Sequence, residues 1–355
     1  MFASCRELNN IGQKTRNVRS DTLKIQEKKI NQDTLISITA AGDIMPGSNY
    51  PSDYSLPPDD GESLFDSVKS VSGSADINFA NLEGTLLDSG GKPKKCNTPE
   101  NCVSFRIPER YAGILKKAGF DLLSTANNHS NDMGEEGKIS TVNTLNKYNI
   151  NFAGYNDHPS AVFKRNGITF GFTAFAPNTG TQNLNDIPNA VRVVSDLKKK
   201  CDIVIVSFHG GAEGYSAQRV SGSKEFFLGE DRGNVYEFAH EVIDAGADIV
   251  IGHGPHVPRA LELYNGKLIA YSLGNFCTYG KFSLSGPQGI APLLKVFLDR
   301  KGNFVKGKIY SFKQVKRGIP VPDIEMNAVK IIKTLTEKDF PANPIKISDS
   351  GDIGF

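Results

Sequence analysis

From about residue 34 onward, short apolar runs alternate with stretches of helical spacing. The run at 35–41 is β-rich and leads straight into Gly42-Asp43. Similar runs at 76–80, 120–125, 168–175, 202–208, 248–251 and 267–272 read as further strands, and 293–312 is a longer β-rich stretch. At 108–118, Ala112, Leu115 and Ala118 fall on one side of a helix that Gly119 ends. The stretches 138–148, 234–245 and 324–335 also read as helices. Alternation of this kind predicts an α/β layered fold, with strands buried beneath helices on the outer faces. No Pro/Gly/Ser linker interrupts 34–318, which is read as one domain. Residues 1–33 read as a polar leader or tether, and 319–355 as a C-terminal helix and tail.

Composition narrows the picture only a little. The chain has 355 residues and a net charge of +2, so nothing in its charge points to nucleic acid as a partner. No run of 18 apolar residues occurs. Of five cysteines, Cys96 and Cys102 sit in a polar Asn/Pro-rich loop. They fit a small disulfide in an oxidising compartment, with two free thiols or half a zinc site as the alternatives. Phe2-Ala3-Ser4-Cys5 resembles the end of a lipoprotein signal, but the charged and apolar segments that would precede it are missing. A lipid anchor at Cys5 and a chance match are both open.

The candidate chemistry lies where the strands end. Five runs are followed directly by segments carrying ligand-type groups: Gly42-Asp43, Asn81-Leu82-Glu83, Asn127-Asn128-His129, His209-Gly210-Gly211 and His253-Gly254-Pro255-His256. In open α/β sheets, functional groups gather at such ends. Four of the six histidines (His129, His209, His253 and His256) fall in these segments, while His158 and His240 do not. Taken singly, each residue has an ordinary explanation, such as a turn, a cap or a satisfied imidazole. Taken together, Asp43, Glu83, Asn128, His209, His253 and His256 are expected to hold a divalent metal. Carboxylate, amide and imidazole suit manganese, zinc or iron better than calcium. Asn127, Asn131, Asp132 and Glu213 are expected to fix the imidazoles from behind, Asp132 also fitting a turn or cap.

The segments GDIMPG (42–47), NLEG (81–84), ANNHSNDMGEEG (126–137), SFHGG (207–211) and the block 246–276 occur in that order. Together they resemble the bacterial capsule-synthesis family CapA, also called PgsA, over about 34–318. That family is similar in turn to the calcineurin-like metallophosphoesterases. The resemblance implies a four-layer α/β/β/α sandwich of the metallo-dependent phosphatase type. It also implies one or two metal ions on the six residues above, with His129 protonating the leaving group. One departure is plain: the third residue of the first motif, usually histidine, is Met45. The implied function is that of a metal-dependent hydrolase-like protein of the cell envelope. It would act outside the cytoplasm in synthesis, export or anchoring of an anionic capsule polymer such as poly-γ-glutamate, beside membrane-bound capsule synthesis proteins. Two other readings stand beside it: a non-catalytic polymer-binding or assembly subunit with a structural metal, and a general phosphoesterase on a small substrate. A cytoplasmic location is the alternative to the envelope.

Overall fold

The computed structural model describes residues 35–95 and 102–355, and two sheets dominate it. The larger has ten strands. Its parallel part runs Ile36–Met45, Ile77–Leu82, Leu122–Ser124, Asn151–Ala153. On the other side of Ile36–Met45, the strands Ile290–Leu298 and Phe304–Val315 continue the sheet antiparallel. The smaller sheet has six strands. Its parallel centre is Ile168–Phe175, Ile203–His209, Ile249–His253 and Lys267–Ala270, with antiparallel edges Ser160–Arg165 and Leu261–Tyr264.

Burial explains why the central strands read as unbroken apolar runs. Ile203–His209 is buried at all seven positions, because both of its faces are covered. One apolar cluster joins the sheets face to face: Ile38, Ile77, Phe79 and Leu122 of the larger meet Phe170, Phe172, Ile205 and Ile251 of the smaller. A second lies outside the larger sheet, where Leu82 and Leu123 pack with Tyr111 and Leu115 of the helix Tyr111–Lys117 and Leu145 of the helix Gly134–Lys147. A third lies outside the smaller sheet, where Val204, Val206 and Val250 pack against the helices Ile187–Lys198 and Val235–Asp244. Asp186 and Asn234 cap those two helices, accepting from the backbone N–H of Asn189 and Glu237. Helix, sheet, sheet and helix make the four-layer α/β/β/α sandwich that the resemblance implied.

Thr34–Phe355 form one compact unit. Residues 319–355 contribute the strand Ile319–Pro322, the helix Asn327–Asp339 and two short strands, Lys346–Ile347 and Asp352–Gly354, that extend the larger sheet. Among the described residues no helix is long and apolar enough to cross a membrane. Cys102 is disulfide-bonded, and Cys201 and Cys277 are free. Cys96, Cys5 and the leader at 1–33 lie outside the described residues.

Candidate metal centre

The parallel strands of both sheets end at the same side of the sandwich, which is why residues far apart in sequence meet there. The larger sheet supplies Asp43, then Glu83 just after Ile77–Leu82, then Asn127, Asn128 and His129 after Leu122–Ser124. The smaller supplies His209 and His253, register partners on adjacent strands, and His256 three residues on. Gly254 makes the last turn feasible. Its φ is +116°, and a Cβ there would lie 2.5 Å from the Gly210 carbonyl oxygen, so the loops after the two histidine strands pass only with glycine. His256 itself has φ 57°, a left-handed conformation uncommon outside glycine.

Asp43 is fully buried, and both of its oxygens have partners. Its Oδ1 accepts from Asn81 Nδ2 at 2.9 Å and lies 3.1 Å from His253 Nδ1. Its Oδ2 lies 3.0 Å from His256 Nδ1. That carboxylate therefore engages the Nδ1 side of both rings, an arrangement that fixes ring orientation and tautomer. Turned this way, His256 Nε2 lies 3.6 Å from Glu83 Oε1 and 3.8 Å from Glu213 Oε2. One ligand atom from each of Glu83, His209 and His256 falls within 4.8 Å of the others.

Around that point bonding capacity is left over. Both Glu83 oxygens, His209 Nε2, His253 Nε2 and Asn128 Oδ1 are buried without a hydrogen-bond partner. Each such group costs about 1–3 kcal/mol when left unsatisfied. A divalent ion that accepts carboxylate, amide and imidazole ligands is a guest that relieves them together. The residues present thus fit such an ion. Met45 offers it nothing: the side chain is wholly buried in the apolar cluster outside the larger sheet.

Electrostatics agree with the geometry. Burial pushes the Glu83 carboxyl well above its usual range, with the charges of Asp43 and Glu213 adding to the shift. Burial drives the His209 imidazole well down, so it is a neutral ring. Burial would raise Asp43 too, but bonds from His253 and His256 outweigh it and hold that carboxyl far below the carboxylate range. His256 goes the other way: burial disfavours its charge, yet Glu83 and Asp43 raise it to about 10.

His129 stands at the edge of the cluster with its own support. Its Nδ1 is 2.7 Å from Asp132 Oδ2, its ring stacks on Phe105 at 4.1 Å, and its Nε2 faces Glu83 Oε1 at 3.9 Å. Lys94 Nζ pairs with Asp132 Oδ1 at 2.7 Å and donates to the Asn128 carbonyl at 2.9 Å. Asn127 bolts this loop to its neighbour: Nδ2 donates to Asn81 Oδ1 and the Leu82 carbonyl, and Oδ1 accepts from the His129 N–H. Asp132 and Glu213 thus lie against His129 and His256, while Asn131 is exposed on the cleft wall and bonds neither ring. The cleft over the cluster has a volume of about 530 Å³. The sequence pattern does not single out Asn81, Asn275 (3.1 Å from His256 Nδ1), Lys94 or Arg232. Asn81 and Asn275 are at least within motif segments; Lys94 and Arg232 lie in loops with no strand-end signal.

The bacterial capsule synthesis protein PGA_cap model matches residues 37–279, a span that includes all six candidate ligands. The chain belongs to that family. Among curated relatives, the PGA biosynthesis protein CapA of Bacillus subtilis (strain 168) is 28% identical over 274 residues, covering 73% of this chain and 66% of the relative. The capsule biosynthesis protein CapA of Bacillus anthracis is also 28% identical, covering 70% and 61% respectively. The chain therefore spans less than two thirds of the length of either. Among solved structures, it is similar to a hypothetical protein from Thermus thermophilus, with a TM-score of 0.47 and 17% identity over 78% of this chain and 99% of that one. The layers described above stand on the strand pairings of this PGA_cap chain itself.

Proposed function

We propose that this PGA_cap chain is a metal-dependent, hydrolase-like protein of the cell envelope that acts on an anionic capsule polymer of the poly-γ-glutamate kind. The observation that carries the reading is the set of buried, unpartnered ligand atoms on Glu83, Asn128, His209 and His253. Glu83, Asn128, His209 and His256 would hold the ion, with His253 beside them. Asp43 would act chiefly by orienting His253 and His256. Bound there, a manganese, zinc or iron ion supplies Lewis-acid polarisation of the bond under attack.

The chain's own residues supply the rest. Asp132 holds His129 by Nδ1 and burial lowers the pKa of the ring, so Nε2, which faces the cleft, would take a proton from the attacking water and pass it to the leaving group. Phe105 packs against the ring and keeps water from that face. The polymer and the envelope location rest on the names of the relatives, one a PGA biosynthesis protein and one a capsule biosynthesis protein. Membrane-bound capsule synthesis proteins would be its neighbours there.

The test pairs metal content with turnover. Purified chain is assayed on poly-γ-glutamate and on a generic phosphodiester with manganese, zinc or iron added. His129→Gln is expected to keep its metal and lose hydrolysis. Equal hydrolysis by His129→Gln and the parent would remove His129 from the chemistry. A second reading, an assembly subunit with a structural metal clasp, is favoured by Met45, whose burial leaves the site one imidazole short. It predicts bound metal, polymer binding and no hydrolysis of either substrate.

A further inference from the structure

One buried side chain of the cleft wall takes no part in the metal-ligand cluster. Arg232 lines the cleft, and only 5% of its side chain is exposed. Its Nη2 lies 3.0 Å from Glu213 Oε1 and 3.1 Å from Glu230 Oε2. Its Nε and Nη1 are buried and have no hydrogen-bond partner among the described residues, while the guanidinium carbon lies 5.6 Å from the centre of the Phe227 ring. Leaving two donors of a buried cation unmet costs more than leaving neutral ones. The position is not slack either. The Arg232 N–H donates to the Glu225 carbonyl at 2.9 Å, and its own carbonyl accepts from Gly211 at 2.8 Å. Glu225 is in turn gripped by the fully buried Arg259, at 2.9 and 2.6 Å. The backbone that carries the guanidinium is therefore fixed, and part of the side chain's donor capacity is unspent.

We propose that Arg232 is the anion-recognising residue of the cleft, binding a carboxylate or phosphoryl group of the ligand beside the metal-ligand cluster. The inference rests on the proposed reading of the cleft as a ligand site, and it does not require the metal. Three observations support an anion over a neutral group. A planar guanidinium with open N–H groups matches two-oxygen acceptors better than any other side chain does. The cleft lining carries four basic residues (Lys94, Lys95, Arg232 and Lys281) against two acidic ones, Glu213 and Glu230. Of those four, Lys94 is already committed to Asp132 and the Asn128 carbonyl, and Lys95 is exposed at the rim. Glu230 is more than half exposed on the strand Glu230–Asp231, so it competes for Arg232 from the solvent side and is free to move away.

The test titrates inorganic phosphate and glutarate into the full chain by calorimetry, in chelated and metal-loaded form, with metal content measured on the same samples. The parent is expected to bind at least one of the two anions, and the preferred one tells phosphoryl from carboxylate recognition. Arg232→Gln should weaken binding about tenfold or more and Arg232→Lys by less, with metal content unchanged. Glu230→Gln removes the competing carboxylate and should tighten binding several-fold, a gain that misfolding does not produce. The proposal is overturned if neither anion binds the parent, or if Arg232→Gln and Glu230→Gln both stay within about twofold of it. Loss of the anion in Arg232→Gln from a parent that holds no metal would sink the metal reading alone. Bound metal with no Arg232 effect would sink this inference alone.

Discussion

Arg259 and Glu83 are both wholly buried, yet their surroundings are opposite. Arg259 donates through Nε to the Ala217 carbonyl at 2.6 Å and through Nη1 and Nη2 to Glu225 at 2.9 and 2.6 Å. Glu225 accepts a further bond from the Ala212 N–H. That cluster is closed on itself and braces the two segments that carry Glu213 and Arg232. Glu83 has no hydrogen bond to either oxygen, and His209 and Asn128 beside it are each short of a partner. Burial is thus common to structure and function here, and unmet bonding capacity separates them. The closed pair specifies a geometry; the open cluster keeps a place for a guest.

The contrast makes predictions of graded size. Arg259→Ala strands Glu225 as an uncompensated buried charge, so denaturant titration should show a loss of about 3–5 kcal/mol. A loss below about 1 kcal/mol would mean that the closed pair is no brace. His209→Ala, which removes one open ligand, should weaken metal binding by about a hundredfold in a chelator competition, with little change in the stability of the metal-free chain. Unchanged affinity would take His209 out of the site. Glu83→Gln removes a carboxylate that burial disfavours. In chelated protein it should raise stability by about 1 kcal/mol while abolishing tight metal binding. A destabilised, metal-competent variant would invert the role given to Glu83.

The smallest effect concerns pH. His256 is raised from its ordinary 6.5 to about 10, and Glu83 is raised as well. Between pH 6.5 and about 10 the metal-free fold therefore binds more protons at His256 than the unfolded chain does. Its stability should fall as pH rises through that window. An ion displaces those protons, so the loaded form should not follow. The gap in Tm between loaded and chelated protein is expected to widen from about pH 6.5 to about pH 8.5. A gap that stays level or narrows counts against it.

Much of this was legible along the chain for a specific reason. Parallel strands covered on both faces read as plain apolar runs, and in several of them the polar residue at the end of the run is the one that joins the buried cluster beneath the cleft: His209 at the end of Ile203–His209, Glu83 just after Ile77–Leu82. The edge strand Ser160–Arg165 was not legible, because it is only partly buried and alternates with exposed positions. Nor were the two- and three-residue strands near the C-terminus, which exist only because Phe304–Val315 and its neighbours provide a template. The residue type at 43 suggested a ligand. That its oxygens meet two Nδ1 atoms depends on how the turn at His256 folds back, which no local pattern encodes. Lys94 and Arg232 reach the site from loops, Lys94 to a histidine 35 residues away in the chain and Arg232 to a distant glutamate, Glu213.

Whether the open cluster holds an ion is answered most directly by elemental analysis. The chain is purified without chelator and measured, then measured again after dialysis against manganese, zinc and iron in turn. About one divalent ion per chain is expected, lost in His209→Ala and Glu83→Ala while the circular dichroism spectrum is kept. Less than about 0.2 ion per folded chain with every metal offered would contradict a metal centre here.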